Sequence, residues 1–461
     1  MSKSELFCFY LLLGLIFWLP IPLASHRIWA WSIVEVIVAT QTIILFSFNF
    51  KHLDLSRLIK FTWLLLPLSI FQLWVFIQII PIPIDLLHWV SPYSAQFYHD
   101  YHRLYGTISL DSYATQTGLL KGLTYTLFAM NSVLLINSLK RVRLILYVIV
   151  ASGTFQAFYG AIMVLLRIDH SLIFGIPEGN RVTGSFVYYN HLANYLMMCL
   201  CLGTGLIISQ MHQSKSGSWR VRLERWFDAV LSPKMLVRLC LIIMVIALVM
   251  TRSRMGNTAF FSVTLIGGGI AMLFYKNRPR ALTVLVISII LIDTVIVGSL
   301  FGLEKVKERL EATSATTETR DQVVEWSMDI LKEAPFTGTG LGAFYSTFPS
   351  YSHYNIGYYN YAHNDYIQFS TEVGIPATIF LGVVIIFALF KSFNALRTRH
   401  SKTLKGTAIG CLMAIIGELI HISVDFNLQA MANVMTFILV LVLAGISCQL
   451  KVSNKDFFSN R

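Results

Sequence analysis

Three arginines and one histidine have the types and the placing to do chemistry. Arg181 lies in Gly179-Asn180-Arg181-Val182-Thr183-Gly184. Arg252 and Arg254 lie in Thr251-Arg252-Ser253-Arg254-Met255-Gly256, a tight reversal between two apolar runs. A guanidinium presents a planar fork that pairs with two phosphate oxygens and never deprotonates, and the helix that starts after the reversal adds backbone amides and a favourable dipole for the same anion. These arginines read as a clamp for an anionic partner, although any one of them also fits snorkelling to lipid headgroups. His363 stands in Tyr361-Ala362-His363-Asn364-Asp365-Tyr366. An imidazole of ordinary pKa, about 6.5, can be neutral near pH 7 and can then take a proton from an attacking hydroxyl; a purely structural histidine is the alternative.

A second set is carried on one apolar run. Glu418, His421 and Asp425 are spaced by three and four residues and share a helix face near its outer end. Ionisable groups in such a run face a cavity or a partner, so they orient a catalytic group, relay protons, or bond one another in packing. Eight aromatics between Phe344 and Tyr361 suit sugar faces and membrane interfaces alike. Gly338-Thr339-Gly340-Leu341-Gly342 follows a helix pattern and a proline instead of a strand, so it is a turn and not a dinucleotide loop. The outer loops have no DxD or ExD pair and no HExxH, the carboxylates a divalent metal usually needs. No metal or cofactor is expected. Glu35 and Asp293 are isolated and carry no assigned role.

These residues must be positioned by membrane helices. Of 461 residues, 55% are hydrophobic and 13% charged, against about 25% charged in soluble domains. The apolar residues fall into runs of about 20, the length that crosses a bilayer core. Twelve spans are expected, near 6–23, 28–50, 59–80, 118–139, 144–166, 186–210, 236–251, 255–275, 281–303, 373–392, 405–424 and 431–450. Placing both termini on the inner face puts 24 of the 36 Lys and Arg there. Excluding one long loop, where charge is a poor guide, the comparison is 24 against 7. The net charge of +12 is thus mostly an orientation signal, and nucleic-acid binding is not needed to explain it. The three arginines are then stranded on the disfavoured outer side.

The expected organisation is an all-α polytopic bundle over 1–303, an outer loop domain over 304–372, and closing spans with an inner tail over 373–461. In the outer domain Thr319-Arg320-Asp321-Gln322 fits a capping box, predicting a helix over 320–333 that ends before Pro335. Trp219, Leu223, Trp226, Phe227 and Val230, with three arginines, predict an amphipathic helix on the inner surface. The six cysteines lie in or beside apolar runs without a CxxC, so neither a disulfide framework nor a zinc site is expected. The first apolar run lacks the marks of a cleaved signal peptide and reads as a retained helix.

Taken in order, Arg181-Val-Thr-Gly-Ser-Phe with Asn190-His191, Ser253-Arg254-Met255-Gly256, Arg320 with Trp326 and Pro335, Gly338-Thr-Gly-Leu-Gly, His363-Asn364-Asp365-Tyr366 with Glu372 and Gly374, and Ser423-Val-Asp425-Phe-Asn427-Leu resemble the O-antigen ligase family. The resemblance implies a GT-C-like glycosyltransferase of the bacterial inner membrane, with both termini cytoplasmic. It implies action at the periplasmic face, without metal, on undecaprenyl-diphosphate-linked glycans. It further implies that Arg181, Arg254 and His363 are the functional residues. Arg252, Arg320, Tyr361, Asn364, Asp365 and Tyr366 are expected at the substrate, with Glu418, His421 and Asp425 in support. The acceptor expected is lipid A core, a growing glycan or a protein, and membrane lipid surrounds the chain. A different class, a lipid-linked-glycan transporter, would use the same carboxylates and histidine as a proton path.

Overall fold

The computed structural model describes residues 3–49, 53–177, 179–210, 233–274 and 319–451. The expected ninth span and the inner-surface amphipathic stretch lie outside the described residues. The other eleven expected spans are helices: α1 Lys3–Trp18, α2 Ile28–Asn49, α3 Thr62–Gln78, α6 Ser112–Leu135, α7 Leu139–Leu165, α8 Tyr189–Ser209, α9 Pro233–Met250, α10 Arg254–Phe274, α13 Ile375–Thr398, α14 Lys402–His421 and α15 Met431–Gln449. Two short outer helices, α4 Ile84–Val90 and α5 Pro92–Asp100, follow α3, and two more, α11 Arg320–Glu333 and α12 Asp365–Val373, precede α13. Eight of these helices are long and apolar enough to cross a membrane, whereas α1, α3 and the apolar part of α9 are shorter. The protein is an all-α, multi-pass membrane protein.

Burial sorts the helices into layers. In α8, α14 and α15, 83–89% of the apolar window is buried inside the protein, against 28% in α2 and α13. Helices apolar all round belong at the centre, and those with an exposed apolar face meet lipid. Glycines let the central pair close up. The position a Cβ would take at Gly406 is filled by the backbone carbonyl of Gly205, and that at Gly205 by the carbonyl of Gly406. Small residues at such crossings bring backbones together where lipid offers no hydrophobic drive for association.

The two outer loops are knitted into one cap. Strand β1 (Ile82–Pro83) pairs antiparallel with β2 (Tyr105–Gly106), enclosing α4 and α5. Gln78, at the end of α3, donates to the carbonyls of Thr337 (2.9 Å) and Glu372 (3.0 Å) and accepts from the Leu341 amide (3.2 Å). The Leu110 amide donates to the Thr339 carbonyl at 2.9 Å. The Gly338–Gly342 segment is the expected turn, with positive φ at Gly338, Gly340 and Gly342. A side chain on Gly338 would run into the Glu372 backbone, so only glycine fits there. Val323, Trp326, Ile330, Phe344, Phe348 and Ala362 form a separate small apolar core under α11.

Helix α11 has the expected bounds but not the expected cap. Thr319 makes no side-chain bond to the helix amides, because its hydroxyl is bonded to the Tyr359 hydroxyl instead. Gln322 does not close a capping box either, and its Oε1 is buried without a hydrogen-bond partner among the described residues. A tertiary contact has taken over the group that the local pattern had reserved.

Candidate active site

The site is assembled where the outer ends of α8, α9, α10 and α14 meet the loop before α12 and the start of α11. On one side, the Val182 amide donates to the Met250 carbonyl at the end of α9, 3.2 Å away. This bond pins the Arg181 segment beside the Thr251–Arg254 reversal. Within the reversal Thr251 Oγ1 accepts from the Ser253 amide and Ser253 Oγ accepts from the Gly256 amide, each at 3.1 Å. Ser253 therefore caps the start of α10 in the manner of an N-cap hydroxyl. Arg252 holds φ +54°, and both Arg252 and Arg254 are exposed. The exposed Arg181 guanidinium lies 4.4 Å from the centre of the Tyr189 ring, a cation–π placement.

The second half centres on Phe426. Tyr188 and Tyr361 stack on its ring at 5.3 and 4.7 Å, while His191 and His363 meet it edge-on at 4.9 and 4.7 Å. His363 has φ +52°, a left-handed conformation uncommon outside glycine and concentrated at functional sites. Its Nδ1 faces Asp425 Oδ1 at 3.8 Å, too long for a hydrogen bond, and has no hydrogen-bond partner among the described residues. Asp425 is buried. It accepts from the Phe426 amide (3.0 Å) and from the Asn190 side chain. Arg320, the first residue of α11, donates to the Tyr188 hydroxyl at 3.1 Å. The Tyr188–Tyr189 pair, 5.0 Å between rings, thus links Arg320 to Arg181.

Electrostatics suit an acid–base pair. Burial, followed by the positive charge of Arg320, lowers His363 to about 4, so its ring is neutral near pH 7. Burial raises Asp425 to about 6 against the opposing Phe426 amide, Arg320 and Asn190. A carboxylate facing Nδ1 would stabilise an imidazolium once a proton arrived, the role of the acid in a triad.

Below this pair a buried polar seam runs between α8 and α14. Asn194 donates to Glu418 Oε1 (3.1 Å), and its Oδ1 meets His421 Nδ1 (3.2 Å). All three side chains are fully buried. Glu418 Oε2 and His421 Nε2 have no hydrogen-bond partner among the described residues. His421 also packs near Gly256 of α10, which joins the seam to the arginine reversal.

Three residues expected at the substrate hold structural partners. Asn364 caps α12, accepting from the Ile367 amide (3.2 Å), and donates to the Ser423 carbonyl (2.8 Å). Asp365 is buried, and accepts from the Leu428 amide (2.8 Å) and the Gln429 side chain (3.3 Å). Tyr366 donates to the Leu419 carbonyl at 2.9 Å. These bonds lock the histidine loop onto the end of α14. Asn190, Asn194, Tyr188 and Phe426 hold the site together yet had no individual role in the sequence reading. Asn190 and Asn194, four apart on one apolar helix, mirror the spacing of His421 and Asp425, and that periodicity was the available signal.

One end of a helical membrane bundle thus brings three exposed arginines near a histidine that faces a buried carboxylate. Residues 239–382 match the family model described as O-Antigen ligase, which supports the family that the ordered motifs resemble. The match takes in Arg252, Arg254, Arg320 and His363, and leaves out Arg181 and Asp425. A search of curated proteins gives no match to the chain.

Proposed function

We propose that the protein is an inverting glycosyltransferase that moves a glycan from undecaprenyl diphosphate to an acceptor hydroxyl at the periplasmic face, with lipid A core as acceptor. The observation that carries this reading is the neutral His363 facing the Asp425 carboxylate, on the same rim as three exposed arginines. In this reading residues 1–303 and 373–461 form the bundle in the inner membrane, with both termini cytoplasmic, and 304–372 form its periplasmic cover.

Arg181, Arg252 and Arg254 grip the diphosphate and neutralise the charge that grows as the anomeric C–O bond breaks. The diphosphate leaves without being protonated. His363 takes the proton of the acceptor hydroxyl as the new glycosidic bond forms on the opposite face, and Asp425 stabilises the resulting imidazolium.

The test is purified protein with a lipid-linked donor and candidate acceptors, reading release of lipid diphosphate. His363→Ala should lower transfer by about 10²–10⁴-fold, the usual worth of a general base, without loss of membrane insertion. Arg254→Lys should also impair it, since an ammonium has no planar fork. Full activity in His363→Ala removes the base role, and glycan translocation without diphosphate release makes the protein a transporter. In cells, loss of a ligase removes every long lipopolysaccharide chain, whereas loss of a polymerase leaves a single repeat.

A further inference from the structure

A cleft of about 980 Å³ opens in the outer cap, between the α4–α5 pair and the far end of α11. Trp89, Tyr93 and Phe97 supply its rings, and Asp85, Asp100 and Glu333 its carboxylates. Trp89 is 87% exposed, an unusual setting for so large a ring. Tyr93 is held against Tyr351, ring centres 6.4 Å apart, and Tyr351 in turn bonds Glu333. Among the described residues no Lys or Arg lines the cleft. A concave site with aromatic faces and a few convergent polar groups is the usual form of a small-ligand site.

Charge and shape narrow the ligand. Asp85, Asp100 and Glu333, set against His88 and His99 with no lysine or arginine, leave the lining acidic on balance; it disfavours phosphates and acidic sugars and accepts hydrogen bonds from hydroxyl and ammonium groups. Ring faces suit the C–H faces of pyranoses. Position narrows it further. Glu333 and Arg320 are the two ends of the 14-residue helix α11, so at 1.5 Å per residue the cleft lies about 20 Å along that helix from the reaction centre. That is the reach of a chain of several sugars, beyond that of a single one.

We propose that this cleft is a distal subsite for a neutral or amino-sugar glycan chain, holding the chain several sugars away from the bond that reacts. The proposal rests on the glycosyltransferase reading for its ligand class, and its test is binding, which needs no turnover. Full-length protein in nanodiscs is titrated calorimetrically with the free oligosaccharide released by mild acid from the host's own lipid-linked glycan, and separately with that glycan trimmed to its first sugar. Trp89→Ala and Glu333→Gln should each weaken the long chain at least tenfold and leave the single sugar unchanged. In transfer assays they should raise KM for the full donor and leave kcat and the trimmed donor unaffected. Trp89→Ala removes an exposed ring, so retained melting temperature certifies its fold. Long-chain affinity equal to wild type in both variants overturns the proposal, as does equal weakening of both ligands. Binding that persists in a protein found to lack transfer would sink the enzymatic reading and leave the subsite standing.

Discussion

His363 works as a base only if it is neutral and its carboxylate partner is charged. Above pH about 6 both conditions hold, because His363 is lowered to about 4 and Asp425 is raised to about 6. As pH falls, Asp425 protonates first and withdraws its support for the imidazolium; His363 follows near 4. kcat/KM, which reports the free enzyme, should therefore decline as pH drops through about 6 and steepen towards 4. In Asp425→Asn the limb near 6 should vanish while the lower one persists. Its plateau should drop about tenfold or more, since the imidazolium loses the negative charge that faces it at 3.8 Å. An unchanged limb near 6 would detach Asp425 from the reaction.

Among the elements, the outer end of α3 governs how the cap sits on the bundle. Gln78 serves three backbone groups of the cap with one buried side chain. Gln78→Ala would strand the Thr337 carbonyl and the Leu341 amide, at about 1–3 kcal/mol for each one left unsatisfied, while the Glu372 carbonyl keeps the Gly340 amide. The expected outcome is a lower melting temperature and faster proteolysis within 319–372, with the bundle helices still protected. Equal protection of the cap in the variant would show that the β1–β2 pairing and the Leu110 bond suffice. Helix α11 makes the same point from the other side. Its length follows from its sequence, but its cap residue Thr319 was claimed by Tyr359, a partner 40 positions away.

For the whole molecule, the proposed orientation rests on charge. If both termini are cytoplasmic, 24 of the 36 Lys and Arg lie at the inner face, and a cysteine replacing exposed Tyr358 should react with an impermeant maleimide on intact spheroplasts. One replacing Lys451 should react only after permeabilisation. The reverse pattern would place the arginine rim in the cytoplasm and end the periplasmic reading.

The positions of the described spans and the Gly338–Gly342 turn were legible in the sequence, because each depends on run length or chain neighbours, whereas the roles proposed for Arg181, Arg254 and His363 await the transfer assay. Helical spacing also placed Glu418 and His421 together, but α14 ends at His421, so Asp425 lies past the helix and not on the expected shared face. Which face they meet was not legible. Asn190 reaches Asp425 across 235 positions, and Asn194 reaches Glu418 across 224. Periodicity reveals that a helix has a polar side without naming the helix that will pack against it. The glycine contact of α8 with α14 decides that pairing, and with it where Tyr188, Phe426 and His363 converge.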